Sequence, residues 1–154
     1  MVAAVEKKRK IIPPVYALMA LASIWLIHYF LPVYRYMHEP LTYAGVAAVF
    51  LGITMASISA EIFKRAGTGI VPFDEATTLV TNGFYRYSRN PMYLGMFLMV
   101  AGMAFLMGSV GAALPVVIFV LIIRNNFVLG EERFLEASFG QQYLDYKSKV
   151  RRWL

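Results

Sequence analysis

The 154-residue chain contains no cysteine and only two histidines, His28 and His38. Without cysteine there is no disulfide framework, no thiolate zinc site, no iron–sulfur cluster and no thiol nucleophile. Neither histidine has a partner at metal-ligand spacing, so both read as structural and no metal site is expected. Charge is also scarce, at 16% of residues, against about 25% in ordinary soluble domains. Hydrophobic residues reach 59% and the mean hydropathy is +0.58. That balance excludes a disordered chain and argues against a soluble domain. No GxGxxG follows a strand, there is no P-loop, and neither an internal repeat nor a low-complexity segment is present. At 17.4 kDa the chain reads as one unit, 1–154, rather than two domains.

What is abundant is uninterrupted apolar sequence. No charged residue occurs in the 24 residues Ile11–Tyr34, the 21 of Pro40–Ala60 or the 34 of Asn90–Ile123. About 20 apolar residues span a bilayer core, so the first two runs predict one helix each. The third is too long for one span, and Gly108, Ser109, Gly111 and Pro115 mark a hairpin turn inside it. The expected fold is an all-α polytopic membrane protein with four transmembrane helices, at about 13–31, 41–60, 91–108 and 112–129. Glu6–Lys10 followed by Ala20-Leu21-Ala22 has the outline of a signal peptide. The apolar run continues through Trp25, Leu26, Ile27, Tyr29 and Phe30, so a retained helix is expected instead, with Pro13 and Pro14 at its start.

The net charge of +6 then acquires a direction. Four spans put both termini on one side, together with Lys7, Lys8, Arg9, Lys10, Lys64, Arg65, Arg86, Arg89, Arg124, Arg133, Lys147, Lys149, Arg151 and Arg152. Only Arg35 falls on the other side. By the positive-inside rule both termini face the cytoplasm, and a prokaryotic inner (plasma) membrane is the expected host. The charge reads as topology and attraction to lipid headgroups, not as a nucleic-acid surface.

Polar chemistry concentrates in two cytoplasmic stretches. Glu61–Pro91 is a long connection with its own apolar residues, among them Ile70, Val71, Phe73, Leu79, Val80, Phe84, Tyr85 and Tyr87. It is punctuated by Gly67, Gly69, Pro72 and Gly83, and is expected to fold back on the membrane face as a re-entrant-like loop. Glu131–Leu154 predicts two amphipathic helices. The first presents Phe134, Leu135, Ser138 and Phe139 and stops at Gly140; the second carries Tyr143, Tyr146, Val150 and Trp153. This stretch reads as an interfacial anchor, a lid over a site, or both. Met92, Met96, Met99, Met103 and Met107 recur at near-helical spacing and read as packing or lipid contact.

The most specific stretch runs from Leu79 to Gly95. Asn82-Gly83 is a turn, and Asn90-Pro91 is expected to cap and open the third helix. The free amides at that opening suit an anion such as a carboxylate. Tyr85, Tyr87 and Tyr93 offer faces that hold a cation. Leu79-Val80-Thr81, Gly83, Tyr85, Arg89-Asn90-Pro91, Tyr93, Gly95, Glu131-Glu132, Phe139-Gly140, Tyr143 and Tyr146 stand in a fixed order. This pattern resembles the integral membrane methyltransferases of the isoprenylcysteine carboxyl methyltransferase and phospholipid methyltransferase group, whose pattern is L-V-T-x-G-x-Y, R-[HN]-P-x-Y-x-G, E-E and F-G-x-x-Y-x-x-Y. The match covers residues 77–154; the first two helices match only as helices.

The resemblance implies S-adenosylmethionine as methyl donor, bound from the cytoplasmic side by the 77–154 half. Carried over residue by residue, the cofactor positions are Thr77, Thr78, Leu79, Val80, Tyr85, Arg89, Asn90, Pro91, Met92 and Tyr93, with Glu131 and Glu132. Two departures stand out. Asn90 replaces the histidine of the R-H-P version. Phe127 occupies the place where the prenylcysteine enzymes carry a substrate-positioning arginine four residues before the glutamate. Arg124, Asn125 and Asn126 are the candidates to orient the acceptor instead. The acceptor implied is a membrane-embedded or amphiphilic molecule, whether an isoprenylcysteine-like carboxylate, a lipid amine or a thiol. Membrane lipids are the other expected partners, and oligomeric state is left open. An NADPH-dependent membrane reductase of the sterol reductase kind and a non-enzymatic membrane subunit are the competing readings.

Overall fold

The computed structural model describes residues 12–31, 40–67 and 77–154, and no strand occurs among them. The expectations for Lys7, Lys8, Arg9, Lys10, Arg35, His38, Gly69, Ile70, Val71, Pro72 and Phe73 lie outside the described residues.

Helix α1 (Pro13–Phe30) begins at its two prolines, after Ile12 in extended conformation. Proline costs nothing there, because first-turn amides have no intrahelical partner. A 3₁₀ turn at Leu41–Tyr43 leads into α2 (Ala44–Arg65), and α3 spans Pro91–Met107. A second tight turn, Val110–Ala112, starts a long rod: α4 (Ala113–Ile123), a π-helical turn (Arg124–Val128) and α5 (Leu129–Phe139). Helix α6 (Gln141–Lys149) follows. Among the described residues three stretches are long and apolar enough to cross a membrane, Pro13–Phe30, Leu41–Arg65 and Val110–Phe139. Helix α3 is apolar but has only 17 residues, about 26 Å of rise.

Two boundaries differ from the sequence reading. The second span was expected to end near 60 and the fourth near 129, where charge begins. Charge does not stop a helix. In α2 an Arg65–Glu61 pair at 2.9 Å spans one turn and supports it, and the helix yields only before Gly67, at φ +67°. The fourth helix runs on through Glu131 and Glu132 because strong helix formers continue to Phe139. Gly140, at φ +52°, separates it from α6. The expected hairpin turn is where Gly108 adopts φ +62°.

Helix α3 is the axis of the fold. One side meets α2 through glycine. A Cβ on Gly52 would lie 2.5 Å from Gly95 O, and one on Gly95 would lie 2.6 Å from Gly52 O. Gly45 and Gly102 meet in the same way one heptad along. The two backbones therefore touch over an antiparallel seam, the close approach that small residues permit in membranes. The other side of α3 packs on α1 and α4 through Ala17, Ala20, Ile24, Val100, Ala104, Phe119 and Ile123. Met96, Met99, Met103 and Met107 pad that core, the packing role expected of them. Leu18, Trp25, Leu26, Phe50, Leu51, Leu114, Val117 and Leu121 face outward. So extensive an apolar exterior has bilayer as its solvent.

Candidate active site

The site is assembled where the start of α3, the middle of the long rod and the segment after α6 converge. A 3₁₀ turn at Gly83–Arg86 delivers Tyr85 inward, leaving it 4% exposed. Its ring packs on Phe63 of α2 at 5.0 Å between centroids. Its carbonyl accepts a 2.7 Å hydrogen bond from the Tyr146 hydroxyl of α6. The Tyr85 hydroxyl itself is buried and has no hydrogen-bond partner among the described residues. Burial, then the charge of Glu131, then Tyr146 push its pKa up. Burial and the neighbouring Tyr143 push Tyr146 up as well. Both phenols are neutral donors at neutral pH.

Glu131 and Glu132 are adjacent in sequence and differ completely in surroundings. Tyr93, one turn into α3, donates to Glu131 Oε1 at 2.9 Å. Tyr93 also packs beside Phe127 (6.4 Å), which takes Tyr16 of α1 edge-on at 5.7 Å. A carboxylate, two tyrosine faces and an aromatic wall thus share one corner. Glu132 is engaged by two arginines: Arg152 donates through Nε (2.9 Å) and Nη2 (2.7 Å), and Arg89 Nη1 lies at 3.3 Å. Arg89 also donates to the Tyr143 hydroxyl at 3.3 Å, while its buried Nε finds no partner among the described residues. These three charges sum to +1 beside the opening of α3, with Arg89 and Glu132 buried and Arg152 partly exposed.

That opening is not capped as the sequence suggests. Asn90 makes no side-chain cap. Its Nδ2 donates to Arg152 O at 3.1 Å, and Ser88 Oγ donates to the same carbonyl at 3.3 Å. The Arg89 amide donates to Arg151 O at 2.9 Å. The stripe Tyr143, Tyr146, Val150, Trp153 is therefore helical only as far as Lys149. Val150 is extended (φ −118°, ψ 130°), and the chain beyond it presents the Arg151 and Arg152 carbonyls to residues 88–90 and packs Trp153 on the core.

The structure brings Tyr85, Tyr93 and Glu131 together, and joins Arg89, Asn90 and Glu132 in a second group. Pro91 is fully buried and Met92 half-buried at the start of α3. Val80 is buried and Leu79 half-buried. Thr77 and Thr78 are exposed, with Thr77 Oγ1 donating to Gly67 O (3.2 Å) at the end of α2. Arg124 and Asn125 lie on the exposed face of the π turn, Arg124 donating to Asn125 Oδ1 at 3.1 Å, and Asn126 is half-buried. The π turn puts Phe127 and Val128 side by side in the core. Arg124 does not enter the place Phe127 fills. Sequence reasoning missed the partnership of Arg152 with Glu132; the signal available was only an arginine beyond an aromatic stripe.

Fold and site together define a helical membrane protein with a tyrosine–carboxylate site at one end of its bundle. A family model described as phospholipid methyltransferase matches residues 40–142, and the chain belongs to that family. It is 31% identical over 114 residues to the protein-S-isoprenylcysteine O-methyltransferase of Saccharomyces cerevisiae, covering 71% of this chain and 46% of the yeast protein. An uncharacterized protein of Haemophilus influenzae is 43% identical over 63 residues, 41% of this chain and all of that relative. Among solved structures, the eukaryotic intramembrane Ras methyltransferase (isoprenylcysteine carboxyl methyltransferase) superposes with a TM-score of 0.67 at 24% identity. That match covers 89% of this chain and 50% of the other, and the likeness is one of fold. The chain spans about half the length of the named methyltransferases it matches.

Proposed function

We propose that the chain is an S-adenosylmethionine-dependent methyltransferase acting on a membrane-embedded or amphiphilic acceptor. The observation that carries this reading is the Tyr93–Glu131 pair with the buried, unpartnered Tyr85 hydroxyl within its electrostatic reach. The named relatives support methyl transfer.

The residues present fit the donor. Glu131 and the faces of Tyr85 and Tyr93 suit a sulfonium cation. The Arg89 Nε and the amides that open α3 suit a carboxylate. The orphaned Tyr85 hydroxyl suits a polar group of the ligand. Thr77, Thr78, Leu79, Val80, Asn90, Pro91 and Met92 complete the binding set, and Glu132 serves it by holding Arg89. When bound, the donor supplies an electrophilic methyl group. The transfer is an in-line displacement that asks little of acids and bases, so the chain contributes alignment and exclusion of water. Phe127, 1% exposed, and Tyr16 form the dry wall of the corner. Arg124, Asn125 and Asn126, about two helical turns before Glu131, meet the acceptor's polar end where it arrives from the bilayer. This reading includes four membrane-crossing helices in a single domain, both termini cytoplasmic, in a prokaryotic inner membrane.

Isothermal titration of the detergent-purified chain with S-adenosylhomocysteine and with NADPH tests it. Saturable binding of the first and none of the second is expected, and Glu131→Gln weakens binding of S-adenosylmethionine, which carries the sulfonium, more than that of S-adenosylhomocysteine. Binding of NADPH instead, or of neither by a folded protein, overturns the proposal.

A further inference from the structure

Two rungs join α5 to the start of α3 and the segment before it. Tyr93 reaches Glu131, and Arg89, four residues earlier in the non-helical lead-in to α3, reaches Glu132. Consecutive residues on a helix point about 100° apart, so both rungs close only over a narrow range of rotation of α5 about its own axis. The Arg89 rung is the weaker, a single contact at 3.3 Å. The strong hold on Glu132 comes from Arg152, two short hydrogen bonds in the planar fork that a guanidinium makes to a carboxylate. The carbonyl of Arg152 simultaneously accepts from Ser88 and Asn90. One residue therefore grips α5 with its side chain and the start of α3 with its backbone. Its side chain is 33% exposed and lies outside the carboxylate corner.

We infer that Arg152 is the positioning residue for Glu131, fixing the rotation of α5 through Glu132 so that Glu131 faces Tyr93. The inference rests on the proposed donor-binding role of Glu131 and needs a readout independent of ligand. The chain has no cysteine, so spin labels can be placed at Tyr87→Cys, 71% exposed before α3, and at the exposed Arg133→Cys on α5. Distances measured by pulsed electron resonance are expected to be narrow in the doubly labelled parent, broadened and shifted in R152Q, and intermediate in R152K, which keeps the charge and loses the fork. Titration with S-adenosylmethionine should show R152Q binding at least tenfold more weakly than the parent. In an E132Q background the same change should alter affinity by less than twofold, since residues acting through one another are not additive. An unchanged distance distribution in R152Q, or an equal loss of affinity in both backgrounds, overturns the inference. If the parent binds no S-adenosylhomocysteine the donor reading falls, and the distance distributions alone decide whether Arg152 holds α5.

Discussion

The seam between α2 and α3 and the polar corner at the start of α3 hold the same helix by opposite means. Along the seam Gly45, Gly52, Gly95 and Gly102 let two helices touch, the buried Ser59 of α2 bonds only within its own helix, to Met55 O, and dispersion does the rest. In the corner a few charged groups are sunk among aromatics, each with at least one named partner. The seam tolerates no added atom and carries no chemistry. The corner has atoms to spare, in the Tyr85 hydroxyl and Arg89 Nε, and these are the groups the proposed donor would engage. Tyr93 and Gly95 are two residues apart, so the rigidity of the seam is delivered directly to the corner.

The largest expected effect comes from breaking the seam. Gly52→Val puts its Cβ 2.5 Å from Gly95 O and 2.6 Å from the Met99 amide. No rotamer relieves a clash of Cβ with backbone, so α2 must move off α3. A loss of about 3 kcal/mol or more follows, seen as aggregation in size-exclusion chromatography. Next comes Glu132→Ala, which strands Arg89 in a buried setting with its partner gone. Removing one member of a buried pair costs about 3–5 kcal/mol, and thermal melting in detergent should show it. Glu132→Gln keeps the volume and part of the hydrogen bonding and should lose less.

Those two predictions also mark what the sequence could and could not reveal. The all-helical class and the hairpin at Gly108 were legible because apolar runs and glycine punctuation act locally, although three stretches rather than four are long enough to span a membrane among the described residues. The seam was legible in principle, as two glycine pairs each seven residues apart, but glycine spacing says nothing until a facing helix carries the same spacing in register. The site residues from Tyr85 to Tyr93 and the Glu131-Glu132 pair stood out through their fixed order. Their division of labour did not, because it depends on the rotation of α5 and on a segment some twenty residues further on. The helical reading of Val150 and Trp153 failed for the same reason. Their spacing is helical, but the chain leaves α6 at Val150 and hands the Arg151 and Arg152 carbonyls to residues 88–90, contacts that helical spacing does not signal.

Glu131→Gln should sharpen the contrast between the two glutamates. The amide oxygen still accepts from Tyr93, so the loss of stability is only about 1 kcal/mol. The charge that the proposed donor's sulfonium would face is gone, so affinity for S-adenosylmethionine should drop at least a hundredfold, and by more than affinity for S-adenosylhomocysteine, which carries no sulfonium. A variant that melts like the parent and binds like it would remove Glu131 from the site. Gly140→Ala is smaller still in its reach. At φ +52° and ψ −125° the residue sits where side chains are strained, at about 1–3 kcal/mol. Nothing lies within 4 Å of the added carbon, so the cost is purely one of backbone and should leave affinity per folded molecule intact.

Arg124→Ala gives the smallest effect on stability and separates two arginines at the same end of the bundle. Arg89 is buried with a carboxylate; Arg124 is exposed and bonded only to its neighbour Asn125 among the contacts described above. Exposed substitutions away from caps and buried pairs stay within about 0.5 kcal/mol. The melting temperature and the affinity for S-adenosylhomocysteine should therefore match those of the parent. If Arg124 meets the acceptor, the cost appears only in turnover, as a raised KM for an amphiphilic acceptor with the donor's KM unchanged. Loss of donor affinity in this variant would mean that the π turn shapes the carboxylate corner as well as the acceptor's path, since Phe127 and Val128 in that turn lead directly to Glu131.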